Sequence, residues 1–273
     1  MSSKSPFPLI DISEFNTVTD YALLAKNVSG VIIRLGYSSY SSGRQRYDAK
    51  YAQHMNGCRM NNIPFGLYFF PQSINEEEAK NEADFIIDSV RGLKLSFPVF
   101  LDSEFAEQHG LGRADGLSKA ARTQQLKYVI DILKKNNIEC GVYASTNWFE
   151  TRLDVSKLGN IPIWVAQYNT HVTYKGRYDI WQYTSNGTVQ GIKGRVDLNK
   201  ITQEVKPEKP FTPYAAAVKV TTNLAVRDEP STKGTVLFRL PNKWVVAIHE
   251  EKNGWGRLGD INAWVNLKYV TKG

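Results

Sequence analysis

The chain has 273 residues, 42% apolar and 22% charged, the balance of an ordinary globular protein with room for one large and one small domain. No apolar run approaches the roughly 20 residues that a membrane span needs, so no membrane partner is expected. A net charge of +7 permits an anionic partner such as a cell surface, but the basic clusters are short and lack a helix-turn-helix or zinc-finger pattern, which argues against nucleic acid.

In chain order, Pro8-Leu9-Ile10-Asp11-Ile12 reads as a short strand delivering Asp11 at its end. A helix over about 18–26 leads to the apolar strand Gly30–Tyr37, and a second helix over about 47–61 leads to a third strand, Pro64–Phe70. The next helix, about 75–90, opens with Glu76-Glu77-Glu78, which suits the positive end of a helix dipole. Phe97-Pro98-Val99-Phe100-Leu101-Asp102-Ser103-Glu104 then runs from an apolar strand into two carboxylates. Ser118–Lys135 has helical periodicity, Gly141–Ala144 is a fifth strand and Ile161–Tyr168 a sixth. Tyr178–Tyr183 follows after a hairpin-length connection without a helix, and Arg195–Asn199 closes the set.

Strands alternating with helices at this spacing predict parallel βαβ units, and eight strands in about 200 residues predict a barrel. The last three strands lack room for full helices, so the expected fold is an irregular α/β barrel of five strand–helix units plus three closing strands. Sites in such barrels lie at the carboxyl ends of the strands. Asp11, Arg34, Tyr68, Asp102, Glu104, Tyr143, Gln167 and Gln182 would gather there. From Gln203 the composition changes. Residues 206–214, rich in proline and alternating charge, read as a linker. The remainder, 215–273, carries five short β-like runs: 221–227, 235–240, 244–249, 254–258 and 263–265.

His54, His109, His171 and His249 form no zinc-hydrolase pattern, and Cys58 and Cys140 have neither metal spacing nor a CxxC partner, so no metal and no cofactor are expected. Two free buried thiols are favoured over one long-range disulfide. GxSxG, GxGxxG and P-loop motifs are missing as well. The acids remain. Asp102 and Glu104 share a strand face, with Cα atoms ~6.6 Å apart, and two like charges that close raise the pKa of at least one. Together with Asp11, Asp197 and the aromatics Tyr37, Tyr68, Trp164 and Trp181, they supply what glycoside hydrolysis requires. For Phe69, Phe100 and Trp164 core filling is the favoured role.

The runs Asp11-Ile12-Ser13-Glu14-Phe15-Asn16, Asp102-Ser103-Glu104, Trp164-Val165-Ala166-Gln167-Tyr168 and Gln182-Tyr183-Thr184-Ser185-Asn186-Gly187 through Asp197-Leu198-Asn199 resemble glycoside hydrolase family 25, the N-acetylmuramidases or Chalaropsis-type lysozymes. The resemblance covers about residues 6–205 in the right order, and residues 1–205 are expected to form the catalytic domain. It implies a (β/α)5(β)3 TIM-like barrel, cleavage of the β-1,4 bond between N-acetylmuramic acid and N-acetylglucosamine in bacterial peptidoglycan, and retention through the substrate's acetamido group. It implies Glu104 as general acid/base, Asp102 as the residue serving the acetamido group, and Asp11 and Asp197 as further site carboxylates. Arg34, Tyr37, Tyr68, Tyr143, Gln167, Tyr168 and Gln182 are the candidate substrate-binding residues. Arg34 replaces a frequent lysine, and Ser103 replaces a usually apolar residue that should point away from the site.

Residues 215–273 resemble bacterial SH3-like domains. Asn223-Leu224-Ala225-Val226-Arg227-Asp228-Glu229-Pro230-Ser231, Asn253-Gly254-Trp255-Gly256-Arg257, Ala263-Trp264-Val265-Asn266 and Tyr269-Val270 carry that likeness, which implies a cell-wall ligand for the tail. Nine Lys/Arg against five Asp/Glu in this stretch fit an anionic wall. The opening residues, interrupted by Pro6 and Pro8, carry no evident export signal. The expectation is therefore a phage-type lysin held in the host cytoplasm and then released to the wall, with a secreted autolysin as the alternative. A non-catalytic wall-binding protein and a wall amidase or peptidase are the competing functions.

Overall fold

A computed structural model describes residues 7–106, 112–202, 213–220, 222–259 and 262–272. The described residues form two compact units, the first taking 7–91 and 95–202 and the second 92–94 and 213–272. The first is a mixed α/β unit built on eight strands: β1 (Leu9–Ile12), β2 (Gly30–Ser38), β3 (Phe65–Phe70), β4 (Val99–Asp102), β5 (Cys140–Ser145), β6 (Ile163–Ala166), β7 (Ile180–Gly187) and β8 (Val196–Ile201). Each pairs with its neighbour in sequence, and β1 pairs with both β2 and β8, which closes the barrel. Every pair from β1 to β7 is parallel, whereas β8 runs antiparallel to β7 and to β1.

Five helices fill the crossovers: α1 (Tyr21–Ala25), α2 (Tyr51–Met60), α3 (Glu76–Val90), α4 (Lys119–Lys135) and α5 (Thr146–Thr151). Their starts are written locally. The Asn75 side chain accepts from the Glu78 amide, and Ser118 accepts from Ala121, each satisfying an orphan N–H of the first turn. Tyr47, expected in the second helix, instead ends a short strand, Gln45–Tyr47, that pairs with β2. The connection from β6 to β7 is a further difference. It was expected to be hairpin-like, but the two strands are parallel, so this helix-free segment is a crossover.

The two-residue alternation of strands divides the apolar residues between two cores. Ile10, Ile33, Leu101 and Val165 face outward and pack with Ile86 of α3 and Leu126, Val129 and Ile130 of α4. Leu9, Ile32, Phe100, Trp164 and Ile180 point inward and fill the barrel. The same inward parity, continued toward the carboxyl ends, carries Asp11, Arg34, Asp102 and Gln182 to the mouth. Core and site are thus successive layers of one interior.

The second unit is a seven-stranded antiparallel sheet: β9 (Tyr214–Val218), β10 (Leu224–Arg227), β11 (Val236–Leu240), β12 (Val245–Lys252), β13 (Trp255–Leu258), β14 (Trp264–Asn266) and β15 (Val270–Lys272), ordered β11-β10-β14-β13-β12-β9-β15. Val218, Val226, Ile248, Leu258 and Val265 lie in its core. Tyr214, expected to end the linker, begins β9, while 206–212 lie outside the described residues. Among the described residues no helix is long and apolar enough to cross a membrane.

Candidate active site

Asp11 and Asp197 are direct partners across the β1–β8 ladder, so the first and last strands of the barrel bring two carboxyls together. Asp11 is buried, and its Oδ2 accepts from Gln182 Nε2 at 3.0 Å and Asn199 Nδ2 at 2.8 Å. Burial first, and Asp197 second, push its pKa up to about 8. The hydrogen bond between the two acids raises Asp11 and lowers Asp197, which makes Asp11 the proton holder. Burial still leaves Asp197 above its ordinary value.

Asp102 ends β4 in a buried position, and its Oδ1 has no hydrogen-bond partner among the described residues. Burial, then Glu104, then Asp11 hold its carboxyl well above the usual carboxylate range. Glu104 lies two residues further on, where its side chain is open to solvent. The surrounding walls withdraw part of the hydration its charge would need, and burial followed by Asp197 pushes its pKa up to about 7. Ser103 between them faces away: its Oγ is buried and accepts from Trp148 Nε1 at 3.0 Å. The site therefore holds four carboxyls that cannot all ionise near neutrality. The exposed member is poised to give and take a proton.

An open cleft of about 580 Å³ runs from Glu104 past Tyr143, Thr146, Gln167, Tyr168 and Thr173. Tyr143 and Tyr168 both donate their hydroxyls to Gln182 Oε1 at 2.9 Å. Gln182 thus links the aromatic wall to Asp11. Tyr68 and Tyr143 also contact the edge of Trp164, at ring distances of 6.2 and 4.5 Å. Gln167 turns out to be committed to its own loop. Its Oε1 accepts from Thr146 Oγ1 and the Thr173 amide, and its Nε2 donates to Thr173 Oγ1. On the other side, Arg34 binds Asp48 at 2.6 Å and Glu14 at 2.5 Å, with its guanidinium 5.6 Å from the Tyr37 ring centre. Both charges it meets are internal, so Arg34 acts first as a tie between β1, β2 and the 45–48 segment.

Sequence reasoning gave no site role to Asn199 or to helix α5. Asn199 accepts from Trp164 Nε1 at 2.8 Å while donating to Asp11, so Trp164 is both core and support. The signal lay in Asn199's inward parity, two residues past Asp197. For α5 the signal was Ser145, whose side chain caps the Trp148 amide.

The model of glycosyl hydrolases family 25 matches residues 10–192. The chain belongs to this family. Among curated relatives, the autolytic lysozyme of Clostridium acetobutylicum is 25% identical over 179 residues, covering 63% of this chain and 50% of the relative. The modular autolysin LytC from Streptococcus pneumoniae is 28% identical with a TM-score of 0.63, over 71% of this chain and 46% of LytC. The catalytic domain of endolysin ply40 from bacteriophage P40 of Listeria monocytogenes is 25% identical with a TM-score of 0.62, over 75% of this chain and 97% of that domain. The family 25 chain thus spans about half the length of the autolytic lysozyme and of LytC.

Proposed function

We propose that this family 25 chain is a peptidoglycan N-acetylmuramidase that cleaves the β-1,4 bond between N-acetylmuramic acid and N-acetylglucosamine. The observation that carries the reading is the Asp102–Glu104 pair at the end of β4, with Glu104 open to the cleft and its pKa pushed up to about 7. In this reading Glu104 donates its proton to the glycosidic oxygen as the C1–O bond breaks, and the acetamido oxygen attacks C1 from the opposite face. The unpartnered Oδ1 of Asp102 receives the acetamido N–H. That donor, and the positive charge growing on the acetamido group, favour ionised Asp102, its proton passing to solvent, against the burial that raises its pKa. Glu104, now a carboxylate, takes a proton from water, whose oxygen opens the cyclic intermediate at C1. Two inversions give net retention, the substrate-assisted exception to the two-carboxylate rule. Asp11 and Asp197 share one proton and limit the negative charge beside Glu104, while Tyr68, Tyr143, Tyr168 and Gln182 shape the sugar-binding wall.

The second unit is read as an SH3-like wall-binding domain. Its exposed Leu237, Phe238, Trp244, Val245 and Tyr269, with an excess of basic residues, suit an anionic polymer surface. The cellular setting that fits is release to the wall as a phage-type lysin, with an exported autolysin as the alternative.

Release of new reducing ends from purified peptidoglycan tests the reading. Wild-type protein should generate them, Glu104→Gln should generate none while keeping its circular dichroism, and Asp102→Asn should be severely impaired. Near-normal turnover by Glu104→Gln would overturn the assignment, and near-normal turnover by Asp102→Asn would remove acetamido assistance. A binder releases no reducing ends, and an amidase or peptidase releases free amines instead.

A further inference from the structure

We propose that Phe15, backed by the guanidinium of Arg34, is a stacking platform for a sugar ring of the glycan strand, on the side of the scissile bond opposite the Tyr143–Tyr168 cleft. The proposal rests on the muramidase reading and extends it to a second arm of the binding surface.

Phe15 follows Asp11 by four residues, on the turn leaving the carboxyl end of β1, and is 81% exposed. A single exposed apolar side chain is ordinary on a protein surface. This one differs in how firmly it is held. The Ser13 amide donates to Asn16 Oδ1 at 2.9 Å, the Asn16 amide returns to the Ser13 carbonyl at 3.0 Å, and the Glu14 amide donates to Asp48 Oδ2 at 2.9 Å. His54 Nε2 also meets the Ser13 carbonyl, at 3.1 Å. Beneath the ring lies the Arg34 guanidinium, 5.1 Å from its centre, itself fixed by Glu14 and Asp48. One face of the phenyl ring therefore rests on a cation, and the ring stays open to solvent. A rigid aromatic surface of this kind binds with little ordering cost.

Position and charge select the ligand. In a closed ring of eight strands, β1 and β2 lie opposite β5 and β6, which carry Tyr143 and lead into Tyr168. The acids at the ends of β1, β4 and β8 lie between these two aromatic walls. An enzyme that cuts within a polymer must hold sugars on both sides of the broken bond, and only one side is accounted for by the cleft. Arg34 is already paired with two carboxylates, so the platform offers an aromatic face with no free positive charge. That suits the apolar face of a neutral pyranose, not an anionic group.

The test uses peptide-free glycan strands and the full chain. Phe15→Ala should raise KM about threefold to tenfold with kcat within twofold of wild type, the size expected for one lost aromatic contact. Phe15→Trp should restore KM. Met60→Ala, which removes an apolar side chain 84% exposed on α2 and away from the mouth, should change neither constant. In the Glu104→Gln background, Phe15→Ala should weaken the Kd for soluble strands by a similar factor, a readout that needs no cleavage. KM and Kd unchanged in Phe15→Ala overturn the platform. Strands that bind through Phe15 but are never cut by the wild-type chain leave the platform standing and sink the muramidase reading instead.

Discussion

Replacing Asn199 with leucine tests whether the acid pair and the barrel core are one unit. Asn199 is 1% exposed, accepts from the Trp164 indole at 2.8 Å and donates to Asp11 Oδ2 at 2.8 Å. Leucine has nearly the same shape but neither function. The substitution strands the indole N–H in a dry interior and removes one of the two donors on Asp11 Oδ2. Each loss costs about 1–3 kcal/mol, so the sum is about 2–6 kcal/mol. For a unit of about 200 residues each kcal/mol moves Tm by about 2–4 °C, giving a fall of about 4–24 °C. Calorimetry on the full chain can read this from the barrel transition, recognisable by its larger enthalpy because unfolding enthalpy scales with residue number. Trp164→Phe should cost about 1–3 kcal/mol alone, and the double variant should cost less than the sum, since the indole donor can be lost only once. A shift under 2 °C, or strict additivity, would refute the linkage.

Ser103→Ala should lower stability by about 1–3 kcal/mol, because the Trp148 indole loses its buried acceptor. Its kcat should stay within about threefold of wild type, and a loss beyond tenfold would contradict a Ser103 that faces away from the site. The pH dependence follows from the raised carboxyls. In the proposed role Glu104 must be protonated to act as the acid, so kcat/KM should fall as pH climbs through about 7; a rate rising through that interval would exclude it as the proton donor. Asp11 has a folded-state pKa of about 8 against an ordinary value of 3.8, so the folded chain binds the extra proton between these limits. Its contribution is fully present below pH 4 and declines as pH rises through about 8. Thermal scans from pH 5 to pH 9 should therefore show a smaller loss of Tm in Asp11→Asn than in wild type.

The barrel was legible because each strand is a short apolar run ending in polar residues, and because alternation assigns every inward side chain once one is placed. Leu9 and Asp11, or Phe100 and Asp102, have one residue between them and so share a face. What escaped were long-range pairings. Arg34 looks like a free cation until the fold brings Glu14 and Asp48 to it. Gln167 ends an apolar strand and looks like a ligand group until Thr146 and Thr173 close on it. Helix α5 has six residues, too few for a periodic signal. The parallel β6–β7 crossing defied its short helix-free connection. In the second unit, β9 was not read as a strand because its partners, β12 and β15, lie far along the chain.

The identity of the new sugar end is the most direct measure of the proposed chemistry. Purified peptidoglycan digested by the full chain, reduced with borohydride and hydrolysed, should yield muramitol with no glucosaminitol and no rise in free amines. Glucosaminitol in its place, or free amines without new reducing ends, would contradict an N-acetylmuramidase built on Glu104 and Asp102.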